Sequence, residues 1–433
     1  MYLYHQLLKR AQTDKPVRVG LIGAGKFGSM FLSQIPTTPG IVVSVIADLN
    51  PAQARTACET VGWPPELISQ TQFTDDASSM MASGKIDVVV EATGNPTAGL
   101  EHAKSAINNG LHVVMVNVEA DVLAGKLLAS EARSAGVVYS MAYGDQPALT
   151  SELVEWARSS GFEVVAAGKG TKYLPSFHHA TPETVWDHYG LTSEQAEAAG
   201  MNSQMFNSFL DGTKSALEMA AVANACALAA PSDGLQFPPA GMDDLAHVLR
   251  PLAHGGQLEQ KGLVEVVSSL ERDGRPVHKD LRWGVYVVIE APNDYAAACF
   301  KQYGMNTDAT GRYSAMYKPF HLIGLELNLS VLSAALLGAP TGSTQAFNAD
   351  VIATSKRNLK KGEILDGEGG YTVWGKLYRS EDSLKFGGLP IGLAHGVTLV
   401  NDIQAGQGIR WQDVKIDNTL TAVQLRKTME AQS

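Results

Sequence analysis

The chain has 433 residues, of which 45% are hydrophobic and 18% are charged, and its formal net charge is −10. This length exceeds one ordinary hydrophobic core, so two or three domains are expected. The acidic balance argues against nucleic acid or an anionic membrane as the main partner. Three cysteines without C-x-x-C spacing argue against a zinc site or a disulfide framework. Because no signal-like apolar segment stands near its start, we expect a cytoplasmic protein.

The first predicted element is an apolar strand, Val17 to Ile22, that runs directly into the pattern G-x-G-x-x-G. In this pattern Gly23 allows a tight turn, Gly25 lets the backbone approach a pyrophosphate, and Gly28 lets the next helix pack on the strand. The alternative is a chance cluster of glycines in a loop. The combination of strand, glycines and helix predicts a dinucleotide-binding Rossmann site.

A helix-like segment, Ser29 to Ile35, follows this pattern, and the free N–H groups at its N-terminus would face the phosphates. Lys26 and Phe27, inside the pattern, are predicted to contact the cofactor together with the three glycines. A second apolar strand, Ile41 to Ala47, ends at Asp48, twenty positions after Gly28. An acid at this place accepts the ribose hydroxyls of NAD and repels the 2′-phosphate of NADP. The predicted cofactor is NAD or NADP, with Asp48 favouring NAD.

Apolar strands separated by helices continue to about residue 150, which is typical of a parallel sheet covered on both faces. Ligands of such sheets bind beyond the carboxyl ends of the strands. Among the residues at these ends, Thr93, Gly94 and Asn117 are predicted to contact the cofactor. Glu119 and Asp145 are predicted to contact the substrate. With Glu152 they are also carboxylates that a divalent metal could use, although they have no ligand spacing.

Three regions of different pattern give the predicted domains, and the fold class is α/β. Residues 1–150 form the NAD(P)-binding Rossmann domain with a doubly wound parallel sheet. Residues 151–344 alternate strands and helices without a second glycine pattern, which predicts an α+β domain for substrate binding and dimerisation. Residues 345–433 are short segments punctuated by glycine, which is typical of a small β-rich domain.

The segment Gly168-Lys169-Gly170-Thr171-Lys172 follows an apolar strand. Two ammonium groups beside glycines predict a phosphate or carboxylate site, with a solvated surface turn as the alternative. Lys318 is the third cation proposed for a substrate anion. Lys169, Lys172 and Lys318 are therefore the predicted substrate-binding cations.

A long helix is predicted over roughly Met205 to Ala229, and Asp211, Lys214 and Glu218 would lie along one of its faces. The rest of the helix is almost wholly apolar, so Lys214 is expected to be buried and paired with Asp211. A buried lysine has a pKa that falls readily, which suits proton transfer at a carbinol. Lys214, Asp211 and Glu218 are the predicted catalytic residues; a structural ion pair is the alternative.

Together these segments resemble the homoserine dehydrogenase-like oxidoreductases that carry a C-terminal SAF domain. Within that group the chain resembles the 1-deoxy-D-xylulose 5-phosphate reductoisomerase-like enzymes of the second, non-homologous class. The segments that carry the resemblance are Gly23–Gly25, Val116–Asp121, Gly144-Asp145, Ala167–Gly170, Asp211–Lys214, Glu218–Ala221 and Pro319–Leu322.

The resemblance implies an NAD(P)-dependent oxidoreductase or reductoisomerase that acts on a small phosphorylated or acidic polyol or ketose. It also implies an SAF-like fold for the C-terminal region. A homodimer or higher homo-oligomer, with a small anionic substrate as the only other partner, is expected. The alternatives are a simple secondary-alcohol dehydrogenase for a sugar acid or homoserine-like substrate, and a non-catalytic NAD-binding sensor.

Overall fold

The structure is a computed structural model that describes residues 3–432. Its strands are β1 (Val17–Ile22), β2 (Ile41–Ala47), β3 (Gln72–Thr74), β4 (Val88–Glu91), β5 (His112–Met115), β6 (Tyr139–Met141), β7 (Glu163–Thr171), β8 (Leu263–Ser268), β9 (Val285–Glu290), β10 (Tyr313–Lys318), β11 (Ala349–Ser355), β12 (Ile364–Asp366), β13 (Val373–Arg379), β14 (His395–Leu399) and β15 (Val414–Lys415).

Its α-helices are α1 (Leu3–Gln12), α2 (Lys26–Leu32), α3 (Pro51–Thr60), α4 (Pro65–Gln70), α5 (Ala77–Ala82), α6 (Pro96–Asn108), α7 (Val118–Ser134), α8 (Gln146–Ser159), α9 (Val185–Tyr189), α10 (Ser193–Ala198), α11 (Ser203–Leu210), α12 (Thr213–Cys226), α13 (Leu245–Val248), α14 (Asp294–Gln302), α15 (Asn328–Leu332), α16 (Ser380–Phe386) and α17 (Thr421–Ala431). A π-helical turn, Ser333–Leu337, follows α15.

The described residues form two compact units that the chain enters more than once. Residues 3–149, 321–345 and 424–432 make the first unit, and residues 150–320 and 346–423 make the second. Each compact unit combines segments from more than one of the three predicted domains. The division into three consecutive domains remains a prediction.

The first unit contains a six-stranded parallel sheet in the order β3-β2-β1-β4-β5-β6. Its central strand β1 pairs with β2 on one side and with β4 on the other, so that Val19 lies between Val43 and Val88. All three valines are almost fully buried. Strands that are apolar on both faces require cover on both faces, and helices provide it here. This strand order is that of the Rossmann fold, so the predicted doubly wound α/β fold is confirmed.

The second unit contains a mixed sheet in the order β10-β9-β7-β8, in which only β7 and β8 are parallel. Strand β7 runs through the lysine-glycine segment, which the sequence placed in a loop after the strand. A Cβ atom on Gly168 would lie 1.8 Å from the carbonyl oxygen of Glu265, and one on Gly170 would lie 2.0 Å from that of Leu281. These glycines therefore let neighbouring backbone approach β7, which is a packing requirement.

The predicted long helix from Met205 to Ala229 is wrong, because the structure has two helices there. Helix α11 ends at Leu210, and Gly212 follows with a φ of +91° before α12 begins. A residue with positive φ cannot continue a right-handed helix. Asp211 is therefore in the break, outside α12.

Residues 349–415 include two small antiparallel sheets, β11-β13 and β12-β14-β15, as expected for a β-rich region. Asn224 of α12 holds the start of β11. Its side-chain oxygen accepts hydrogen bonds from the N–H groups of Asn348 at 2.7 Å and Ala349 at 2.9 Å.

Within residues 3–432, none of the helices combines the length and apolar character needed to cross a membrane.

Candidate functional site

The loop between β1 and α2 has a separate structural reason for each of its three glycines. Gly23 has a φ of +91°, in the left-handed region that favours glycine. A Cβ atom on Gly28 would lie 2.3 Å from the carbonyl oxygen of Gly23, so a larger residue would push α2 away. A Cβ atom on Gly25 would meet no other atom within 4 Å. The backbone at Gly25 therefore faces open space, as close approach to a pyrophosphate requires.

Asp48 lies beside this loop, at the carboxyl end of β2. Its Oδ2 accepts a hydrogen bond from the N–H of Ala24 at 2.8 Å, and its Oδ1 accepts one from the N–H of Asn50 at 2.9 Å. No side chain caps α2, whose first residues are Lys26 and Phe27. Exposed first-turn N–H groups and a carboxylate at the next strand end fit the phosphates and ribose of a dinucleotide.

The ends of β4 and β5 carry a buried polar cluster around Glu91, which sequence reasoning missed. Glu91 is fully buried. Its Oε1 accepts a hydrogen bond from the hydroxyl of Thr93 at 2.6 Å and lies 3.2 Å from Nδ1 of His102. Its Oε2 and the side-chain nitrogen of Asn117 have no hydrogen-bond partner among the described residues. Gly94 next to the cluster has a φ of +69°.

Buried polar atoms without partners are costly unless water or a ligand pairs with them. The strand ends at Thr93, Gly94 and Asn117 therefore fit a polar ligand group, in line with their predicted contact with the cofactor. The signal for Glu91 was available in the sequence, because an acid closes an otherwise apolar strand there.

In the second unit, Lys169 of β7 and Glu218 of α12 form a buried ion pair. Their side chains are 7% and 4% exposed. The structure thus removes Lys169 from the solvent-facing loop that the sequence predicted and gives its charge a fixed partner. It also separates Lys169 from Lys172, whose ammonium group donates to the carbonyl oxygen of His188 instead.

Lys214 is the exception on α12, because the other residues of Thr213–Cys226 are buried and Lys214 is half-buried. It stands one turn before Glu218, so the two side chains share a face of the helix. The predicted burial of Lys214 is therefore wrong, and its side chain reaches accessible space. The predicted place of Lys214 and Glu218 on one face is confirmed by α12 itself.

Asp211 has a different partner from the predicted one. Its carboxylate is fully buried and forms an ion pair with Lys356 at 2.8 Å, while its Oδ1 accepts from the N–H of Thr213 at 2.9 Å. The ammonium group of Lys356 also donates to the carbonyl oxygens of Ala180 and Gly370, each at 2.7 Å. Burial raises the pKa of Asp211, and the charge of Lys356 opposes that rise. The charge partner of Asp211 in the structure is therefore Lys356, and a catalytic role for Asp211 remains a prediction.

The remaining predicted substrate residues belong to both units. Lys318 closes β10 in the second unit, with its ammonium group 5.1 Å from the ring centre of Phe320. Glu119 is in the first turn of α7, in the first unit. Asp145 of the same unit is 5% exposed and accepts from the N–H of Gln146 at 2.8 Å.

No three His, Cys, Asp or Glu side chains come together as a metal site within residues 3–432. The carboxylates Glu119, Asp145 and Glu152 therefore form no metal ligand set in the part of the chain that is described. A divalent metal remains a prediction.

Two family models match the chain, one after the other. Residues 17–143 match the model described as "Oxidoreductase family, NAD-binding Rossmann fold". Residues 144–327 match the model described as "Oxidoreductase DRL, catalytic domain". The glycine loop and Asp48 lie in the first match, and Lys169, Lys214 and Glu218 lie in the second. Both matches are to oxidoreductase families, and the first of them, over residues 17–143, is to an NAD-binding Rossmann fold.

Two curated relatives are homoserine dehydrogenases. The protein from Pseudomonas aeruginosa is 31% identical over 133 residues, which are 29% of this chain and 28% of the relative. The protein from Methylobacillus glycogenes is 33% identical over 112 residues, which are 24% of this chain and 25% of the relative. The chain thus matches only a quarter or slightly more of the length of these relatives.

The solved structures that the chain matches include two dehydrogenases, both with low TM-scores. Levoglucosan dehydrogenase, in complex with NADH and L-sorbose, has a TM-score of 0.34 and 18% identity, over 70% of this chain and 66% of that chain. Myo-inositol dehydrogenase from Lactobacillus casei, in complex with NAD(H) and myo-inositol, has a TM-score of 0.29 and 18% identity, over 39% of this chain and 50% of that chain.

Proposed function

We propose that the protein is an NAD-dependent oxidoreductase that interconverts a CH–OH group and a carbonyl group in a small phosphorylated or acidic polyol. The observation that carries the proposal is the buried Lys169–Glu218 ion pair, which lies inside the region that matches an oxidoreductase catalytic domain. The narrower form of the proposal is a 1-deoxy-D-xylulose 5-phosphate reductoisomerase-like reaction, in which a ketol rearranges before reduction.

The burial of this pair supports a chemical role. Two charges in the protein interior lose hydration, and well-packed apolar residues in their place are often equally stable or more stable. Lys169 and Glu218 are therefore a costly choice for a purely structural contact. A fixed pair of charges beside a reacting carbonyl or hydroxyl group, by contrast, stabilises charge that develops there.

Oxidation of CH–OH to a carbonyl releases a hydride and a proton, and reduction takes up both. Nicotinamide, when bound, supplies or accepts the hydride. The proton needs a side chain that reaches the hydroxyl oxygen, and Lys214 is the accessible residue of α12. Glu218 stands one turn away from Lys214 on the same face of α12 and is paired with Lys169. These two charges set the electrostatic environment of the Lys214 ammonium group.

The experiment is a turnover assay of the full chain with ketose phosphates, sugar acids and homoserine, each with NAD(H) and NADP(H). We expect turnover on one compound class, and Lys214→Met should lower kcat at least about 10²-fold, the lower range for a positioned acid or base. Lys279→Met is the matched control, since Lys279 is a surface lysine of the same unit that pairs with Asp243. Stoichiometric NADH binding without turnover on any compound would favour the sensor.

The other expectations from the sequence belong to this proposal. We propose an SAF-like fold for the C-terminal region and a homodimer or higher homo-oligomer in solution. Light scattering of the full chain tests the second point, because a mass near 46.1 kDa would be that of a monomer.

A further inference from the structure

Two cations of the second unit converge on one aromatic ring. The ammonium group of Lys172 lies 5.7 Å from the ring centre of Tyr189, and the guanidinium carbon of Arg282 lies 5.9 Å from the same centre. Arg282 also lies 4.6 Å from the ring centre of Trp283, whose side chain is 60% exposed. Both cations thus lie within 6 Å of the centre of one ring, and Arg282 lies beside an exposed side chain.

Neither cation has a counter-charge among the residues that the structure describes. Lys172 donates to a carbonyl oxygen, that of His188. The nearest carboxylate in sequence to Arg282 is that of Asp280, and it accepts from the backbone N–H of Arg282 at 2.8 Å. Asp187, beside His188 on α9, forms no ion pair with either cation in the described part of the chain.

The arrangement is electrostatically unfavourable as it stands. Burial lowers the pKa of Lys172, and the nearby charge of Arg282 lowers it further. Like charges held together in a partly buried place cost free energy that an anion between them would recover. The buried Lys169 of β7, three residues before Lys172, has a carboxylate partner in Glu218.

The backbone holds Arg282 against β7. A Cβ atom on Gly170 would lie 2.9 Å from the backbone nitrogen of Arg282, and the N–H of Gly170 donates to the carbonyl oxygen of Gly284 at 3.1 Å. The loop that carries Arg282 therefore packs directly on the strand that leads to Lys172. This packing holds the backbone of Arg282 next to the strand that leads to Lys172.

We infer that Lys172 and Arg282 form a binding site for a phosphate group. A guanidinium group presents a planar fork that matches two phosphate oxygens, and an ammonium group adds a point charge. Two cations match the charge of a phosphate monoester better than that of one carboxylate. The assignment of this phosphate to the substrate rests on the proposed function, whereas the site itself does not.

The test is direct binding of inorganic phosphate to the full chain without coenzyme, measured by titration calorimetry and by the shift in melting temperature. Arg282→Gln and Lys172→Gln should each weaken phosphate binding at least tenfold, which corresponds to about 1.4 kcal/mol. Arg282→Lys should give an intermediate loss, because it keeps the charge and loses the fork. Arg275→Gln is the matched control, since Arg275 is exposed and pairs with Asp273.

The site is disproved if the wild-type chain binds no phosphate, or if both glutamine variants bind it as well as the control does. Circular dichroism of each variant shows whether weaker phosphate binding comes from loss of the site or from misfolding. Because the two variants change residues in different segments, misfolding of one still leaves the other as a test. If phosphate inhibits turnover competitively and Arg282→Gln raises KM at unchanged kcat, the phosphate belongs to the substrate. Binding without competition assigns it to a separate effector, and failed turnover leaves the binding result intact.

Discussion

Lys169 and Glu218 are joined across the interface of β7 and α12 by an ion pair that is almost inaccessible to water. The two residues are far apart in the sequence, and each would be an uncompensated buried charge without the other. This dependence makes the pair measurable by a double-mutant cycle.

We expect Lys169→Met and Glu218→Leu each to lower the free energy of unfolding by about 3–5 kcal/mol, since each leaves one buried charge unpaired. The double variant should recover most of that loss, because apolar side chains then replace both charges, yet it should have no turnover. Denaturant unfolding and the turnover assay measure the two effects. A double variant as unstable as the sum of the single variants would show that the charges are not coupled.

Alanine substitutions at two glycines of the loop should affect different properties, namely NADH affinity at Gly25 and thermal stability at Gly28. Gly25→Ala should fold as stably as the wild type and lose NADH affinity, because the added methyl group enters space that only a ligand would occupy. Gly28→Ala should lower the melting temperature, because its methyl group collides with the carbonyl oxygen of Gly23. Fluorescence titration with NADH and thermal unfolding give the two readings. Unchanged NADH affinity in folded Gly25→Ala would place the dinucleotide elsewhere.

Coenzyme preference should depend on Asp48. The wild type should have a higher kcat/KM with NAD than with NADP, and Asp48→Ala should narrow the ratio by removing repulsion of the 2′-phosphate. Asp76→Ala is the control, because Asp76 is an acid of the same unit whose Oδ1 accepts a backbone N–H in a similar way. A wild type that prefers NADP would contradict the role given to Asp48.

Substitution of Asp211 should mainly lower the free energy of unfolding, and substitution of Lys214 should mainly lower kcat. Asp211→Asn should destabilise the protein by several kcal/mol, on the order of the 3–5 kcal/mol for breaking a buried pair, because Lys356 then keeps an uncompensated charge. Lys214→Met should destabilise the protein less than Asp211→Asn does, because Lys214 is half-buried and Asp211 is fully buried, and it should reduce kcat. Unfolding curves and turnover of the folded fraction decide this. If Lys214→Met unfolds the chain instead, its role is structural.

Glu265 should make stability depend on pH. It is buried in β8, and burial raises its pKa from 4.5 to about 7, although the N–H groups of Val266, Gln236 and Phe237 oppose the rise. Between pH 4.5 and pH 7 the Glu265 carboxyl group is therefore protonated in the folded state and ionised in the unfolded state. The free energy of unfolding should fall as pH rises from 4.5 to 7, by at most about 3 kcal/mol at 1.36 kcal/mol per unit.

Glu265→Gln should remove this part of the pH dependence. Asp121, whose pKa burial raises to about 6, contributes in the same direction but is present in both proteins, so its effect cancels in the difference. Unfolding in urea at pH 5 and at pH 8 gives the comparison. Equal pH dependence in the wild type and the variant would contradict the raised pKa of Glu265.

The Rossmann sheet could be predicted because its signals are local. Each strand is a continuous apolar run, and the positions of Gly23, Gly25 and Gly28 around one turn need no knowledge of distant residues. The environment of Asp48 followed from the same pattern, since the carboxyl ends of parallel strands lie at one edge of a sheet.

The second unit was harder to predict because its decisive contacts are distant in sequence. Helical spacing placed Asp211 beside Lys214, but the positive φ of Gly212 ends that periodicity, and the partner of Asp211 is Lys356. The pairing of Lys169 with Glu218 required knowing which helix covers β7. Arg282 has no motif around it, and only the fold brings it to Lys172.

The segment of residues 424–432 belongs to the first unit, where the buried Arg426 donates to the carbonyl oxygen of Leu123 at 3.4 Å. On a ribosome, the Rossmann sheet would emerge early, but the unit that contains it would lack this segment until synthesis had passed the whole second unit. Folding of the first unit therefore cannot be completed in the order in which the chain is made. A nascent chain that stops at residue 423 would expose the surface that this helix covers, which is the kind of surface that chaperones bind.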